Sequence, residues 1–252
     1  GLVPAPKVCP GCGAGDIRYG GLGTEKVESI ARKLFPGAAI RRMDSDTMTA
    51  RHCYDEVLRE FRSGRIDLLI GTQMIAKGLH FPNVTLVGII QADTGLHLPD
   101  FRAAERTFQL LVQVAGRAGR GEVPGEVVVQ TFSPGNPAIQ FALAHDYHGF
   151  CKMELEQREA LGYPPCGHLL VVHFRGADEA AVAAYAREFR EQLPGAAIPD
   201  GVVMSGPMPA PVARIKGKYR YQLLVRGVAL GRLRPRLREL LLHGRRPKEI
   251  EA

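Results

Sequence analysis

Two arginines with the chemistry to act on phosphate, Arg117 and Arg120, lie three residues apart directly after an amphipathic helical stretch. The guanidinium group is planar and permanently charged, and its fork of N–H donors matches phosphate oxygens. Ala118 and Gly119 lie between them, and small residues at such a place let the backbone approach a neighbouring surface closely. Two surface arginines at a solvated helix end have the same spacing, and that interpretation is favoured for this short motif taken alone.

A second segment upstream favours a functional interpretation of the arginines. The apolar run 68–70 predicts a buried parallel strand, which ends at Gly71 and Thr72, and a polar loop with Lys77 and Gly78 follows. Open α/β sheets present ligand-binding groups at strand ends in this way. Thr72 offers a hydroxyl and an amide suited to a DNA phosphate, and Lys77 offers a positive charge, although an ordinary loop lysine is the alternative.

Together these segments resemble the fifth and sixth motifs of superfamily-two helicases, and within them the PriA family of primosomal replication-restart helicases. The resemblance runs through nearly the whole chain. The stretches that carry it are 23–25 (Gly-Thr-Glu), 42–47, 71–78 (Gly-Thr-Gln-Met-Ile-Ala-Lys-Gly), 92–93, 98–108, 146–147, 162–165 and 206–207.

The resemblance implies roles for the motif residues. Arg117 and Arg120 are expected to reach a nucleotide bound on a first helicase lobe and to stabilise charge on the transferring phosphoryl group, with Gln113 orienting the same loop. Gly71 and Gly78 are expected to belong to the nucleotide loop, in the fifth motif. These assignments make the two arginines and Gln113 the candidate catalytic residues.

The resemblance also implies a DNA contact at Gly23 and Thr24, where a helix begins. A helix N-terminus favours phosphate, and plain capping of the helix by Thr24 is an equally good interpretation. One departure from the family pattern is Leu79-His80, where the family carries His-Asp. Leucine and neutral histidine replace a carboxylate poorly, so we expect weakened coupling of nucleotide to motion.

Only one cysteine pair, Cys9 and Cys12, has the spacing of metal ligands. A structural zinc ion normally takes four ligands, and on spacing alone an empty turn is favoured. The resemblance implies instead that the pair is the last of the zinc-binding pairs of the family, so residues 1–20 are expected to be a remnant of a zinc-binding region.

The positive charge of the chain is concentrated near its end. The net charge is +7, and residues 200–252 contain 12 basic and 4 acidic side chains. This suggests nucleic acid as a partner, and a solvated basic helix is the alternative. Lys216, Lys218, Tyr219 and Arg220 interleave charge with aromatic rings, which can bind single-stranded nucleic acid by charge and stacking. Two core tyrosines flanked by solvated charges would give the same pattern.

Hydrophobic periodicity predicts two folded domains. Helices are predicted over 24–34, 47–63, 101–115, 136–160, 178–193 and 230–243, and strands over 39–43, 66–70, 85–91, 125–131, 168–174, 202–205 and 219–226. Residues 21–160 alternate strands with helices, which predicts a mostly parallel sheet, as in the second RecA-like lobe of a helicase, with a connecting helix at its end. Residues 161–252 predict a small α+β domain, for which the resemblance implies a ribosomal-protein-S10-like fold.

The composition and the absence of certain motifs limit the functions that we expect of this chain. No apolar window of about 20 residues and no signal peptide is present in the sequence, so we expect a soluble, cytoplasmic protein without a membrane partner. The chain lacks a Gly-x-x-x-x-Gly-Lys-Ser/Thr loop and an acidic magnesium motif, which bind ATP and magnesium in helicases. We therefore expect the chain alone, as part of a longer protein, to have no ATPase activity.

The resemblance implies a replication-restart function for the whole protein. It would recognise branched or forked DNA at stalled forks, unwind DNA in the 3′-to-5′ direction with ATP, and load the replicative helicase together with primosome proteins and single-stranded-DNA-binding protein. The alternative is a catalytically degenerate, non-ATPase DNA-binding scaffold, which Leu79-His80 favours. A generic RNA helicase lobe is disfavoured by Cys9 and Cys12 and by the C-terminal domain.

Overall fold

The computed structural model describes residues 8, 13, 23–44, 51–72, 75, 84–116, 124–193, 198–244, 247 and 249–251 of the 252-residue chain. The chain divides into two compact units. The first contains Gly1–Ala92 and Leu110–Phe132, and the second contains Asp93–Gln109 and Ser133–Ala252. No described helix is long and apolar enough to span a bilayer.

The first unit alternates helices with parallel strands, as the sequence predicts. Its elements are α1 (Thr24–Leu34), β1 (Ile40–Met43), α2 (Arg51–Arg62), β2 (Leu68–Gly71), β3 (Leu86–Ile89) and β4 (Glu126–Val129). β1 pairs in parallel with β2, with Ile40 opposite Leu68. β3 pairs in parallel with β4, with Leu86 opposite Glu126. The predicted mixed α/β class with parallel pairing is therefore confirmed.

The periodicity of α2 predicts Tyr54, Val57, Leu58 and Phe61 as inward residues, and this is confirmed, whereas the buried face of α1 is narrower than predicted. Val57 and Leu58 of α2 are buried with Met43 and Ile66, and Tyr54 and Phe61 pack against them. On α1 the periodicity predicts Val27, Ile30, Ala31 and Leu34 as inward residues. Only Ala31 of these is buried, while Ile30 and Leu34 are 44% and 67% exposed. A pair of strands covers only one side of a helix, so Val27 packs against the buried cluster of Ala31, whereas Ile30 and Leu34 stay outside it.

The second unit begins with a short 3₁₀ turn and three helices: α3 (Ala103–Ala115), α4 (Pro137–Leu143) and α5 (Tyr147–Leu161). The turn spans Ala92–Gly95, and the last residues of α3 belong to the first unit. Asn136 caps α4 by accepting a hydrogen bond from Ala138 N, so the predicted helix start at Asn136-Pro137 is confirmed.

The prediction of one continuous helix over 136–160 is wrong. His145 has a positive φ of 54°, a left-handed conformation that cannot continue an α-helix. Asp146 then starts α5, because its side chain accepts a hydrogen bond from Gly149 N at 2.8 Å. A short polar side chain at such a position competes with the helix for backbone donors and favours a new N-cap.

The C-terminal part of the second unit is a four-stranded antiparallel sheet with two helices. Its elements are β5 (His168–Gly176), α6 (Glu179–Glu191), β6 (Val202–Ile215), β7 (Lys218–Gly227), α7 (Arg234–His243) and β8 (Ile250–Glu251). The strand order is β6-β7-β5-β8. The predicted order of strand, helix, strand, strand and helix is confirmed, and β8 is an additional short strand that the sequence does not reveal.

β6 is much longer than the predicted strand over 202–205. Prolines at 207, 209 and 211 interrupt the pattern in the sequence, but β6 is an edge strand, where proline is tolerated. Irregularities between Ser205 and Met208 and between Pro209 and Arg214 let the strand continue to Ile215.

One face of this sheet holds the hydrophobic core of the C-terminal part of the second unit. The buried residues come from β5, β7, α6 and the segment around α7, and β8 contributes one side chain. They are Val172, Phe174, Val182, Tyr185, Ala186, Phe189, Leu193, Leu223, Val225, Leu230, Leu233, Leu237, Leu240 and Ile250. Strand residues alternate between faces, so the neighbours of these strand residues point to the opposite, outward face.

Candidate nucleic-acid interface

Gln113 lies in the last turn of α3 and is half-buried. The amide of Gly116, the residue after the helix, donates to the carbonyl of Val112 at 3.0 Å. Arg117 and Arg120 lie outside the described residues. The phosphate-binding role of this helix end therefore stays a prediction, carried by the sequence.

The opposite end of α3 is held by an ion-pair network. Glu105, in its first turn, pairs with Arg102 at 2.6 Å and with Arg158 of α5 at 2.7 Å. Hydrogen bonding from Arg102, followed by that from Arg158 and the charges of both, lowers the pKa of Glu105 to about 2 against partial burial. Arg158 also pairs with buried Glu154 at 2.9 Å. The spacing of Glu154 and Arg158 is visible in the sequence, but their link to Glu105 is not.

Two stacked aromatic rings, flanked by a guanidinium group on each side, adjoin this network. The guanidinium of Arg226 lies 4.9 Å from the centre of the Tyr163 ring, and that ring lies parallel to Phe101 at 5.2 Å. Arg158 covers the other ring, 5.1 Å from the centre of Phe101. Within the second unit, Tyr163 of the segment 162–165 thereby lies between Phe101, which precedes α3, and Arg226 of the C-terminal sheet.

The fifth-motif strand ends in a close backbone approach. A Cβ added to Gly71 would lie 2.4 Å from the carbonyl oxygen of Met43 and 3.0 Å from a side-chain carbon of Ile75. Only glycine fits such a position without a shift of the backbone. Thr72 follows directly and is exposed, as a phosphate contact requires, whereas Lys77 and Gly78 lie outside the described residues.

The prediction that Thr24 caps α1 is wrong, because Gly23 is the N-cap and Thr24 is the first helical residue. The hydroxyl of Thr24 donates instead to the buried carboxylate of Asp44. Arg42 lies 3.5 Å from the same carboxylate and 3.4 Å from Glu28. Gly23 is exposed, so a phosphate at this helix start would meet exposed backbone beside an acidic side chain.

The C-terminal candidates lie at the tip of the β6–β7 hairpin. Its two-residue turn consists of Lys216 and Gly217 with φ of 48° and 80°, the pattern of a tight hairpin turn with a glycine. Lys216, Lys218 and Arg220 line a groove of about 320 Å³ together with Arg175 and Ile215. We call this cavity the basic groove, and it contains three of the four C-terminal residues that the sequence predicts.

The fourth, Tyr219, lies on the other face of the hairpin. The guanidinium of Arg214 lies 4.8 Å from the centre of its ring. Tyr221, two residues on, packs against the core. Both rings are half-buried, and they have different neighbours because the hairpin extends beyond the core. Stacking of a base on Tyr219 would require displacement of Arg214.

The sequence does not reveal Arg175, which lines the basic groove, or Glu251, which pairs with two of its cations, because both are remote from the hairpin in the chain. Arg175 on β5 lies directly opposite Arg220 on β7, and Glu251 on β8 pairs with Arg175 at 2.9 Å and with Lys218. Partial burial and the positive charges of Arg220 and Arg175 lower the pKa of the neighbouring His173. That imidazole is therefore neutral near pH 7 and adds no charge to the groove.

Cys9 and Cys12 lie outside the described residues, so zinc binding by this pair stays a prediction. Among the residues that the structure describes, no three histidine, cysteine or acidic side chains come together as a metal site would require.

Comparison with known proteins matches both parts of the chain. The family described as Helicase conserved C-terminal domain matches residues 23–122, and that described as Primosomal protein N C-terminal domain matches residues 159–250. The chain is 44% identical over 248 residues to Replication restart protein PriA of Bacillus subtilis (strain 168), covering 98% of this chain and 30% of that protein.

Further relatives give the same result. The protein of the same name from Treponema pallidum (strain Nichols) is 47% identical over 226 residues, which are 88% of this chain and 33% of the relative. That from Haemophilus influenzae is 40% identical over 238 residues, which are 93% of this chain and 32% of the relative. The chain thus spans about a third of the length of these curated relatives.

Proposed function

Because this chain belongs to the PriA family of replication restart proteins, we propose that it forms the second helicase lobe and the C-terminal domain of a protein that acts in primosomal replication restart. The observation that carries the proposal is the presence, in this order in one chain, of a helicase C-terminal domain and a primosomal protein N C-terminal domain. Neither an isolated helicase lobe nor a general DNA-binding domain accounts for both.

The substrate that we propose is branched or forked DNA at a stalled replication fork. The basic groove supports DNA as a ligand, because Lys216, Lys218 and Arg220 converge at one hairpin tip. We assign the remaining DNA contacts to Thr72 and Lys77 of the fifth motif and to Gly23 and Thr24 at the start of α1.

The nucleotide contacts that we propose are Arg117, Arg120 and Gln113 of the sixth motif, with Gly71 and Gly78 in the fifth-motif loop. ATP and magnesium would be held by a first lobe, and in the whole protein they would drive 3′-to-5′ unwinding. Loading of the replicative helicase would then involve primosome proteins and single-stranded-DNA-binding protein. In fold terms we propose a RecA-like lobe over residues 21–160 and an S10-like domain over 161–252.

The experiment is a comparison of three labelled DNAs, a fork, a linear duplex and a single strand, in anisotropy titrations of the 252-residue chain at several salt concentrations. We expect the fork to bind more tightly than the duplex, with affinity falling as salt rises because phosphate contacts release counterions. Equal affinity for fork and duplex would overturn branched-DNA recognition, and absent or salt-independent binding would overturn the DNA-binding proposal itself.

A second candidate function, the non-ATPase scaffold, is favoured by Leu79-His80. It is distinguished by exchanging residues 71–81 of this chain into a PriA-family protein that carries both lobes and measuring fork-stimulated ATP hydrolysis. Loss of activity in the exchanged protein, with recovery by Leu79→His and His80→Asp, would favour the scaffold. Unchanged activity would favour the helicase.

A further inference from the structure

The outward face of the C-terminal sheet places two arginines opposite each other. Arg175 and Arg220 are directly paired residues of neighbouring antiparallel strands, and like charges in that position repel. Lys218, also on β7, lies beside them in the same groove. The geometry therefore concentrates positive charge at one place, where an anion relieves the repulsion.

One anion of the chain itself already lies at this place. The two carboxylate oxygens of Glu251 pair separately, one with Arg175 and one with Lys218. Its neighbour Ile250 is 4% exposed in the core of the second unit, which anchors β8. The carboxylate is thereby held beside the cations at a high effective concentration.

The anchoring is firm, but the ion pairs themselves are exchangeable. The side chains of Glu251, Arg175 and Lys218 are each about half exposed, and ion pairs at such exposure contribute only about 0.2–1 kcal/mol each. A phosphate with more oxygens and more charge competes with a single carboxylate for the same donors. Arg220 donates to the carbonyl of Val212 at 3.4 Å and pairs with no carboxylate among the described residues, so it adds a further donor.

We propose that the basic groove is the seat of a DNA backbone phosphate, held by Arg175 together with Lys218 and Arg220, and that Glu251 is an internal competitor for that seat. This proposal rests on the proposed DNA-binding function. It adds Arg175 as a further phosphate-binding residue and Glu251 as a residue of the same chain that limits the affinity for DNA. DNA binding then requires the Glu251 carboxylate to leave two cations, and its removal strengthens binding.

The test is Glu251→Gln in the 252-residue chain, with Glu249→Gln as the matched control. Both substitutions change the net charge equally, and Glu249 takes no part in the groove's ion pairs. The probe is a fluorescein-labelled oligothymidylate of about 16 nucleotides, the upper range for small single-strand-binding folds. We expect Glu251→Gln to bind about three- to tenfold more tightly than Glu249→Gln, as expected when two exposed ion pairs cease to compete.

A second pair of variants tests whether the cations of the basic groove contact phosphate. Arg220→Gln should weaken binding and reduce the slope of log affinity against log salt by about 0.7, the value for one phosphate contact on a single strand. Arg236→Gln, an exposed arginine of α7 outside the groove, should leave the slope almost unchanged. Thermal unfolding followed by circular dichroism verifies that all four variants are folded.

The outcomes separate this proposal from the one on which it depends. If the chain binds DNA in a salt-dependent way but Glu251→Gln and Glu249→Gln have the same affinity, the competitor is refuted while DNA binding stands. If no variant binds at low salt, both proposals are wrong. Binding by Glu251→Gln alone would support the competitor in its strongest form.

Discussion

Replacement of Arg158 by methionine should be one of the most destabilising single substitutions in the second unit. Arg158 is the only cation that the described residues offer to buried Glu154, and it also holds Glu105. Methionine retains much of the volume over the Phe101 ring but no charge. Breaking a buried ion pair from one side costs about 3–5 kcal/mol, because the other charge stays buried without a partner.

The destabilisation by Arg158→Met should also depend on pH, in a direction set by the pKa of Glu105. The pKa of Glu105 is lowered from 4.5 to about 2, so its contribution to stability is fully present above pH 4.5 and is lost as the pH falls toward 2. The whole shift corresponds to about 3 kcal/mol, and exposure of the Arg102 partner reduces this to about 1–2 kcal/mol. Arg158 supplies only part of this contribution and Arg102 the larger part, so the difference between the wild type and Arg158→Met should shrink as the pH is lowered through this window, but by less than the whole contribution.

The assay is urea unfolding followed by circular dichroism and by tyrosine fluorescence, since the chain contains 7 tyrosines and no tryptophan. Arg106→Met is the matched control, because Arg106 forms an exposed pair with Asp100 at 2.8 Å beside the same helix and should cost less than about 1 kcal/mol. Adding Glu154→Gln to Arg158→Met should recover part of the loss. If Arg158→Met costs no more than Arg106→Met, the network does not stabilise the unit as its geometry indicates.

Three further outcomes follow from the described geometry and from the sequence. Gly71→Ala should cost about 1–3 kcal/mol in unfolding experiments through its clash with the backbone, whereas Gly88→Ala, which meets open space, should cost less; equal costs would refute the close approach. Tyr163→Leu should lose about 1–2 kcal/mol of stacking with Phe101, and an unchanged free energy of unfolding would contradict the stack. In a phosphate-release assay with forked DNA, the 252-residue chain should show no ATPase activity, and turnover that Arg117→Ala abolishes would refute this.

Sequence periodicity located most elements because each has a local cause. The pattern of α2 gives its buried face, and Asn136-Pro137 gives the start of α4, since capping and apolar spacing act within a few residues. The errors arise where a distant part of the chain decides. Ile30 of α1 is apolar but exposed, because no other described element packs against its side of the helix. β6 continues through its prolines because it lies at a sheet edge.

The residues of the candidate site likewise divide into those that a local motif predicts and those that only strand pairing brings together. Local motifs identified Gly71 and Thr72 and the three cations of the hairpin, since a strand end and a basic turn are visible in a short window. Arg175 and Glu251 lie on other strands, and only the pairing of β5 with β7 and β8 brings them to the hairpin. No spacing rule in the sequence connects these positions.

The excess of positive charge after residue 200 therefore comes from two groups of residues with different structural surroundings. Arg234, Arg236 and Arg238 of α7 are all exposed, and Arg236 pairs with Glu239 at 2.8 Å, as on an ordinary solvated helix. In the basic groove, by contrast, strand pairing forces like charges together and a carboxylate of the same chain relieves them. Net charge does not distinguish the two groups, whereas strand pairing does, because it places Arg175 directly opposite Arg220, while exposed side chains on a helix can turn away from one another. This difference is the reason why we propose the hairpin, and not α7, as the surface that binds a phosphate.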